Sequence, residues 1–107
     1  MDFDPAFGSE AARRRPAVIV SNDRANATAA RLGRGVVTVV PLTSNVARVY
    51  PFQTFLPAEV TGLSDDSKAQ AEQVRSLGVQ RVGGVLGHLP GHLMAELDNA
   101  LRLHLQL

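Results

Sequence analysis

The chain has 107 residues and no cysteine, a net charge of +1, and hydrophobic residues making up 45% of the sequence. That length predicts one domain with a packed core, spanning residues 1–107, and the lack of cysteine excludes disulfides, thiolate metal sites and cysteine nucleophiles. No apolar run approaches the roughly 20 residues that cross a bilayer, and the acidic start "MDFDPAFGSE" is unlike a signal peptide, so we expect a cytoplasmic protein without membrane contact.

Short apolar strands alternate with polar connections in the first half of the chain. The run "PAVIVS" (Pro16–Ser21) predicts a buried strand, and "NDRANATAARLGRG" predicts a long connection with room for a helical turn. The run "GVVTVVPLTS" (Gly35–Ser44) is the strongest strand signal, and Pro41 marks an edge or a bulge near its end. The segment "NVARVYP" predicts a loop, and "PFQTFLP" (Pro51–Pro57) predicts a short strand bracketed by prolines.

In the second half of the chain, the spacing of apolar residues changes from that of strands to that of a helix. "TGLSDDSK" predicts a turn-rich connection, "AQAEQVRSLG" favours helix by propensity alone, and "GGVLGHL" predicts a short strand. After Pro90, apolar residues recur on one face of an amphipathic helix, at Leu93, Leu97, Ala100, Leu101 and Leu105. These elements predict a mostly β, α+β domain or small barrel with a C-terminal helix.

Positive charge is concentrated in one third of the chain. Residues 13–48 hold seven arginines against the single acid Asp23, a net charge of +6, so the remainder carries −5. Arginine outnumbers lysine ten to one, and its planar guanidinium suits bidentate phosphate recognition. The asymmetry indicates a basic face for a polyanion.

The histidines and acids do not form a metal-site pattern. His88 and His92 are four residues apart, but Pro90 and Gly91 lie between them, so they cannot share one helical turn as in HExxH. The acids are scattered, and "SDDS" lies in a turn, where aspartate caps backbone groups. We therefore expect neither a metal nor a cofactor, and no two-metal hydrolysis.

Cleavage of RNA without a metal needs a base for the ribose 2′-OH and donors for charge that builds on the phosphoryl oxygens. Glu10, Arg15, Thr43 and Ser44 are the right chemical types. Arg15 precedes one predicted strand, while Thr43 and Ser44 end another, so both positions could border one cleft. The alternative is that the arginine run is a set of solvated charges before a strand.

Five segments in order resemble the MazF (PemK-like) family of toxin endoribonucleases from bacterial toxin–antitoxin modules. They are "DFDPAFGSE", "RRPAVIVSND", "VVTVVPLTS", "YPFQTFL" and "AEQVRSL", followed by an amphipathic helix ending in "LRLHLQL". The resemblance implies an SH3-like barrel of antiparallel strands with a C-terminal helix. It also implies that "AEQVRSL" is a strand, since tertiary pairing can override helix propensity.

The resemblance further implies a function and partners. Family members are typically homodimeric, metal-independent and sequence-specific ribonucleases that cut single-stranded RNA, leaving a 2′,3′-cyclic phosphate and a 5′-OH. A cognate antitoxin blocks the RNA groove with an acidic, disordered segment. The basic third of this chain suits both ligands.

Site residues follow from the same resemblance. The family's catalytic arginine and threonine fall on Arg15 and Thr43, and its "GSE" loop places Ser9 and Glu10 in the site. In the family this arginine is usually assigned the proton transfer, so two interpretations follow: Arg15 or Glu10 transfers the proton. Because a guanidinium stays protonated at neutral pH, we favour Glu10 as the base and Arg15 for charge stabilisation. Gln73 is expected on a strand that lines the substrate groove. Further substrate contacts are expected at Ser44, Arg75, Arg14 and Arg48.

Family members normally begin with a strand resembling "RGDIWxVD" before "DFDP", whereas Met1 stands here where that strand would end. We therefore expect the first strand to be largely missing. Two alternatives follow: a toxin of the same fold that acts by binding protein, as the related gyrase poisons do, or an inactive nucleic-acid-binding module. The gyrase poisons lack the arginine and threonine pair, so Arg15 and Thr43 favour the nuclease.

Overall fold

In a computed structural model, the structure describes residues 6–10 and 15–107 of the protein, which contain seven strands and three helices. The elements in chain order are β1 (Ala6–Glu10), β2 (Arg15–Ile19), α1 (Asp23–Leu32), β3 (Val36–Thr43), β4 (Gln53–Leu56), α2 (Ala58–Thr61), β5 (Ser67–Gln70), β6 (Arg75–Gly78), β7 (Val82–His88) and α3 (Gly91–Leu105). Two 3-10 turns, Ala71–Gln73 and Val79–Arg81, flank β6.

The strands form one antiparallel sheet that curls on itself. Its order is β4-β5-β3-β2-β1-β7, and β6 also pairs with β3. Pairing runs from β3 through β2 and β1 to β7, and β6 pairs with the other edge of β3. The turn Val79–Arg81 connects β6 to β7 along the chain, so the two ends of this path meet. The predicted class, an antiparallel sheet with a C-terminal helix, is confirmed. The expected near-absence of an earlier first strand concerns the start of the chain, which lies outside the described residues.

Both faces of the central strands β2 and β3 are buried. Strand side chains alternate between the two faces of a sheet, and neighbouring residues of these strands belong to two different buried clusters. Val18 and Val40 face α3, while Ile19 and Val39 face the inside of the curl. The cluster against α3 contains Val18, Val40, Leu42, Leu56, Ala69, Ala71, Leu89, Leu93, Leu97 and Ala100. The cluster inside the curl contains Ala17, Ile19, Ala29, Val37, Val39, Leu77, Val79 and Val82.

The connection after β2 is a ten-residue helix rather than a single turn. Its start is capped by Asn22, whose side-chain oxygen accepts from the Ala25 N–H at 2.9 Å. Its end is Gly33 in the left-handed region at φ 67°, where glycine avoids the steric penalty of a Cβ. Both caps are present in the sequence, so the helix could have been predicted from Asn22 and Gly33.

The strand that the resemblance implies for "AEQVRSL" (residues 71–77) is present only in its second half: β6 begins at Arg75, whereas Ala71–Gln73 is a 3-10 turn between β5 and β6. β5 pairs with the end of β3 and β6 with its beginning, and the two registers differ by three residues. That offset equals the length of the turn Ala71–Gln73. Pro41 lies where β3 changes partner, and a proline has no N–H to donate to the ladder. Pro41 is paired with Ala17 of β2 and lies between the residues of β3 that pair with β6 and those that pair with β5.

α3 begins after Pro90, which is the residue before its first turn. Of the predicted apolar stripe, Leu93, Leu97 and Ala100 are buried, whereas Leu105 is 48% exposed. Among the residues that the structure describes, no helix has both the length and the apolar character needed to cross a membrane.

Candidate active site

The beginning of β2 and the end of β3 lie side by side. Ala17 pairs with Pro41, Val18 with Val40 and Ile19 with Val39. The ladder between the two strands ends at the pair Ala17 and Pro41, two residues from Arg15 in β2 and two residues from Thr43 in β3. Arg15 and Thr43, 28 positions apart in the sequence, therefore lie at the same end of this strand pair.

Arg15, Thr43 and Ser44 line a single cleft of about 540 Å³. One side of the cleft comes from β2 and the end of β3, and the rest comes from β5 and the segment before it. Its lining residues are Arg15, Pro16, Pro41, Leu42, Thr43, Ser44, Leu63, Ser64, Asp65, Ser67 and Gln70. Arg15, Thr43 and Ser44 therefore border one cleft, as the sequence suggested.

Arg15 is anchored from behind. It is exposed at the first position of β2, while Val18 and Ile19 in the same strand are buried in the two core clusters. Pro16 follows it, and a proline restricts the preceding residue to extended backbone. Arg15 thus lines the cleft from a backbone that the core holds in place.

The Thr43 hydroxyl is oriented by the loop that follows it. Its Oγ1 accepts a hydrogen bond from the Asn45 N–H at 3.2 Å. Because that bond uses an oxygen lone pair, the hydroxyl proton remains to be donated. A half-buried hydroxyl on the cleft wall can then donate to an anionic ligand.

The "GSE" residues reach the same edge of the sheet by backbone pairing. Ser9 pairs with Pro16 and Glu10 with Arg15 in the β1–β2 ladder. Glu10 therefore lies opposite Arg15, at the same end of the strands as Thr43. Arg14, a predicted substrate contact, lies outside the described residues.

Arg48 lies in the loop after β3, where it packs on an aromatic side chain. Its Nη1 donates to the Tyr50 hydroxyl at 3.2 Å, and its guanidinium carbon is 5.7 Å from the Tyr50 ring centroid. Tyr50 in turn stacks on Phe52 with ring centroids 5.3 Å apart. The loop therefore presents a cation and an exposed aromatic ring together, although neither Arg48 nor Tyr50 lines the cleft.

Sequence reasoning missed the residue that holds this loop. Lys68 pairs with Thr43 in the β3–β5 ladder and is only 8% exposed. Its Nζ donates to the Arg48 carbonyl at 2.6 Å and lies 5.9 Å from the Tyr50 ring centroid. As the single lysine of the chain, it was the available signal. Lys68 ties the loop to the strand beside Thr43.

Two predicted substrate contacts lie elsewhere. Gln73 is exposed at the end of the 3-10 turn Ala71–Gln73, so its predicted position on a groove-lining strand is wrong. The three-residue register offset between β5 and β6 displaces it from the ladder. Arg75 is exposed at the start of β6 opposite Val39. Neither side chain lines the cleft.

The turn "SDDS" contributes more than capping. Asp66 does cap, because its Oδ1 accepts from the Ala58 N–H at 2.8 Å at the start of α2. Its neighbour Asp65 instead lines the cleft with Ser67 and Gln70. The sequence carried no sign of which aspartate faced the cleft, since that depends on the packing of the turn against β3.

Solved toxin structures share this architecture. The Mycobacterium tuberculosis toxin MazF-mt6 superposes with a TM-score of 0.79 over 96% of this chain and 97% of its own, at 22% identity, a likeness of fold. A crystal structure of MazE–MazF from Deinococcus radiodurans matches with a TM-score of 0.75 at 29% identity, covering 99% and 96% of the two chains. The antiparallel sheet with its C-terminal helix is the fold of a MazF-like protein.

The chain belongs to the family of PemK-like, MazF-like toxins of type II toxin–antitoxin systems, whose family model matches residues 1–105. It is 62% identical over 107 residues to the endoribonuclease MazF9 of Mycobacterium tuberculosis, covering 100% of this chain and 91% of the relative. It is also 36% identical over 107 residues to the endoribonuclease MazF6 of the same organism, covering 99% and 90%.

Proposed function

We propose that this protein is the toxin of a type II toxin–antitoxin system, a cytoplasmic, single-domain endoribonuclease spanning residues 1–107. It cleaves single-stranded RNA at specific sequences, without a metal, and so inhibits translation and growth. The observation that carries the proposal is the cleft that Arg15 and Thr43 both line, at the start of β2 and the end of β3. Relatives named as endoribonucleases support the same activity.

The proposed reaction uses the substrate's own 2′-OH as the nucleophile. Glu10 accepts the 2′-OH proton while the 2′-oxygen bonds to phosphorus. The bond from phosphorus to the 5′-oxygen breaks, and that oxygen takes up a proton from solvent water as it leaves, while Glu10 later returns its proton to solvent. The products are a 2′,3′-cyclic phosphate and a 5′-OH end.

Arg15 and Thr43 act on the charge that accumulates in between. Negative charge builds on the two non-bridging phosphoryl oxygens, and preorganised donors stabilise it most when their positions are fixed beforehand. A guanidinium anchored by a buried strand and a hydroxyl oriented by the Asn45 N–H meet that condition. Ser44 and Ser9 supply further donors, while Arg14, Arg48, Gln73 and Arg75 contact RNA beyond the cleft.

We also propose two protein partners. One is a second copy of this chain, a homodimer whose mass in sedimentation equilibrium would be about twice 11.4 kDa; exposed apolar side chains such as Val85 and Leu86 on β7 and Leu103 on α3 support it. The other is a cognate antitoxin whose acidic, disordered segment occupies the cleft as a phosphate mimic. The Deinococcus complex supports the antitoxin.

The test is cleavage of a long single-stranded RNA by purified protein in excess EDTA, with end mapping. We expect specific cuts with cyclic phosphate ends, and a loss of about 100-fold or more in rate for both Arg15→Ala and Thr43→Ala. Arg102→Ala, an exposed arginine on α3, is the matched control and should cut normally. Cleavage that both site variants retain would contradict the assigned site, and a wild-type protein that cuts no RNA would contradict the activity.

A further inference from the structure

The cleft carries both signs of charge. Arg15, Thr43 and Ser44 offer donors on the β2–β3 side, whereas Asp65 places a carboxylate among the residues that β5 and its preceding segment contribute. A carboxylate accepts hydrogen bonds only, and it repels a phosphate group at close range. A phosphate bound by Arg15 therefore leaves the Asp65 side of the cleft for another part of the nucleotide.

Asp65 is held from both sides in the chain. The Ser67 hydroxyl donates to the Asp65 carbonyl at 3.1 Å. The next residue, Asp66, accepts from the Ala58 N–H at 2.8 Å and pins the turn to α2. Ser67 itself is buried. The backbone that carries the Asp65 carboxylate is thus fixed before any ligand binds, which is the condition for selective recognition rather than adaptable contact.

The side of the cleft around Asp65 is polar but short of cations. Its other polar members are Ser64, Ser67 and the half-buried amide of Gln70. Hydroxyl and amide groups of this kind read the hydrogen-bonding edges of unstacked bases in single-stranded RNA. The volume of about 540 Å³ lies within the range of roughly 300–1,000 Å³ typical of small-ligand pockets.

We propose that Asp65 determines base specificity by accepting a hydrogen bond from the exocyclic amino group of a nucleobase next to the scissile phosphate. This proposal rests on the ribonuclease function above. Adenine, cytosine and guanine each carry an exocyclic amino group, whereas uracil has carbonyl oxygens in place of amino groups. The one donor on that edge of uracil, N3–H, lies between two carbonyl oxygens that a carboxylate repels, so uracil is disfavoured at this position.

The experiment is a comparison of cut sites in a random-sequence RNA pool for the wild type, Asp65→Asn and Asp98→Asn. Asp98→Asn is the matched control because it removes the same charge from an exposed position on α3. We expect one position of the wild-type cut site to exclude uracil. Because asparagine offers both a donor and an acceptor, Asp65→Asn should relax that exclusion by about tenfold or more, while Asp98→Asn keeps the wild-type profile.

The outcomes separate this proposal from the function on which it rests. If wild-type and Asp65→Asn proteins cut with the same sequence profile, Asp65 does not read a base, although the ribonuclease activity stands. If uracil is accepted at every position of the wild-type site, the assignment is also overturned. If the wild type cuts no RNA, the activity and the specificity assignment fail together. Equal melting temperatures for the three proteins would show that the turn remains folded.

Discussion

Gln53 is a buried polar side chain that links two segments of the chain. It is 8% exposed on β4. Its Oε1 accepts from the Tyr50 N–H at 3.1 Å, and its Nε2 donates to Glu72 Oε2 at 2.8 Å. One amide thereby connects the loop before β4 to the turn after β5.

Glu72 depends on that amide. Its other oxygen, Oε1, is buried and has no hydrogen-bond partner among the described residues. Buried polar groups without partners cost free energy, and removing one partner of a buried pair costs more than removing both. Gln53 and Glu72 should therefore be coupled in stability.

We predict that Gln53→Leu lowers the free energy of unfolding by about 1–3 kcal/mol, because it leaves the Glu72 carboxylate with no donor. The double variant Gln53→Leu with Glu72→Leu should be less destabilised than the sum of the two single variants. Urea denaturation of the four proteins measures the coupling. Gln80→Leu, at an exposed position, is the matched control and should change stability by less than about 0.5 kcal/mol. Strictly additive effects would contradict the pair.

At the scale of elements, α3 stabilises the strands that carry the site. Leu97 is fully buried at 0% exposure, in a cluster with Val18 of β2 and with Val40 and Leu42 of β3. β2 begins at Arg15, and β3 ends at Thr43. The helix therefore supports the cleft from the opposite face of the sheet without contacting a ligand.

We expect Leu97→Ala to destabilise the fold by about 2–5 kcal/mol, because it opens a cavity between α3 and the sheet. Leu105→Ala on the same helix is the control. Leu105 is 48% exposed, so its truncation should cost much less. Thermal or urea unfolding distinguishes the two, and equal losses would mean that α3 is not packed as described.

At the scale of the whole molecule, charge is distributed unevenly. The net charge of +6 in residues 13–48 is balanced by −5 elsewhere. Five arginines of residues 13–48 lie within the described part of the chain, and all five are exposed: Arg15, Arg24, Arg31, Arg34 and Arg48. Binding of a single-stranded polyanion to such a surface releases counterions, so its affinity falls as salt rises.

The measurable consequence is the salt dependence of RNA binding. A single-stranded oligonucleotide without a 2′-OH at the cleavage site binds without being cut, and the slope of log affinity against log salt should be about −0.7 for each phosphate contact. Arg15→Ala should reduce the magnitude of that slope by about 0.7, whereas Arg102→Ala should leave it unchanged. A flat profile for the wild type would contradict the basic face as the RNA surface.

The sequence by itself determined the strands around Val18 and Val39, the amphipathic stripe of α3 and the chemical types of the site residues. These are local properties, because hydrophobic period, turn residues and side-chain chemistry act over a few neighbouring positions. The resemblance predicted extended structure in "AEQVRSL" against its helical propensity, and β6 begins within that segment at Arg75. The capping residues Asn22 and Gly33 are signals for α1, although the polar composition between them favoured a connection.

Only the tertiary structure decided which residues meet. The antiparallel pairing of β2 with β3 brings the start of one strand, Arg15, and the end of the other, Thr43, to one cleft, and a one-residue slip would turn one strand's side chains to the other face. The three-residue offset between two ladders on β3 moves Gln73 off the sheet. The packing of one turn separates Asp65, in the cleft, from Asp66, at a helix start. Such outcomes depend on contacts between residues far apart in the chain, and a linear pattern contains no distance between them.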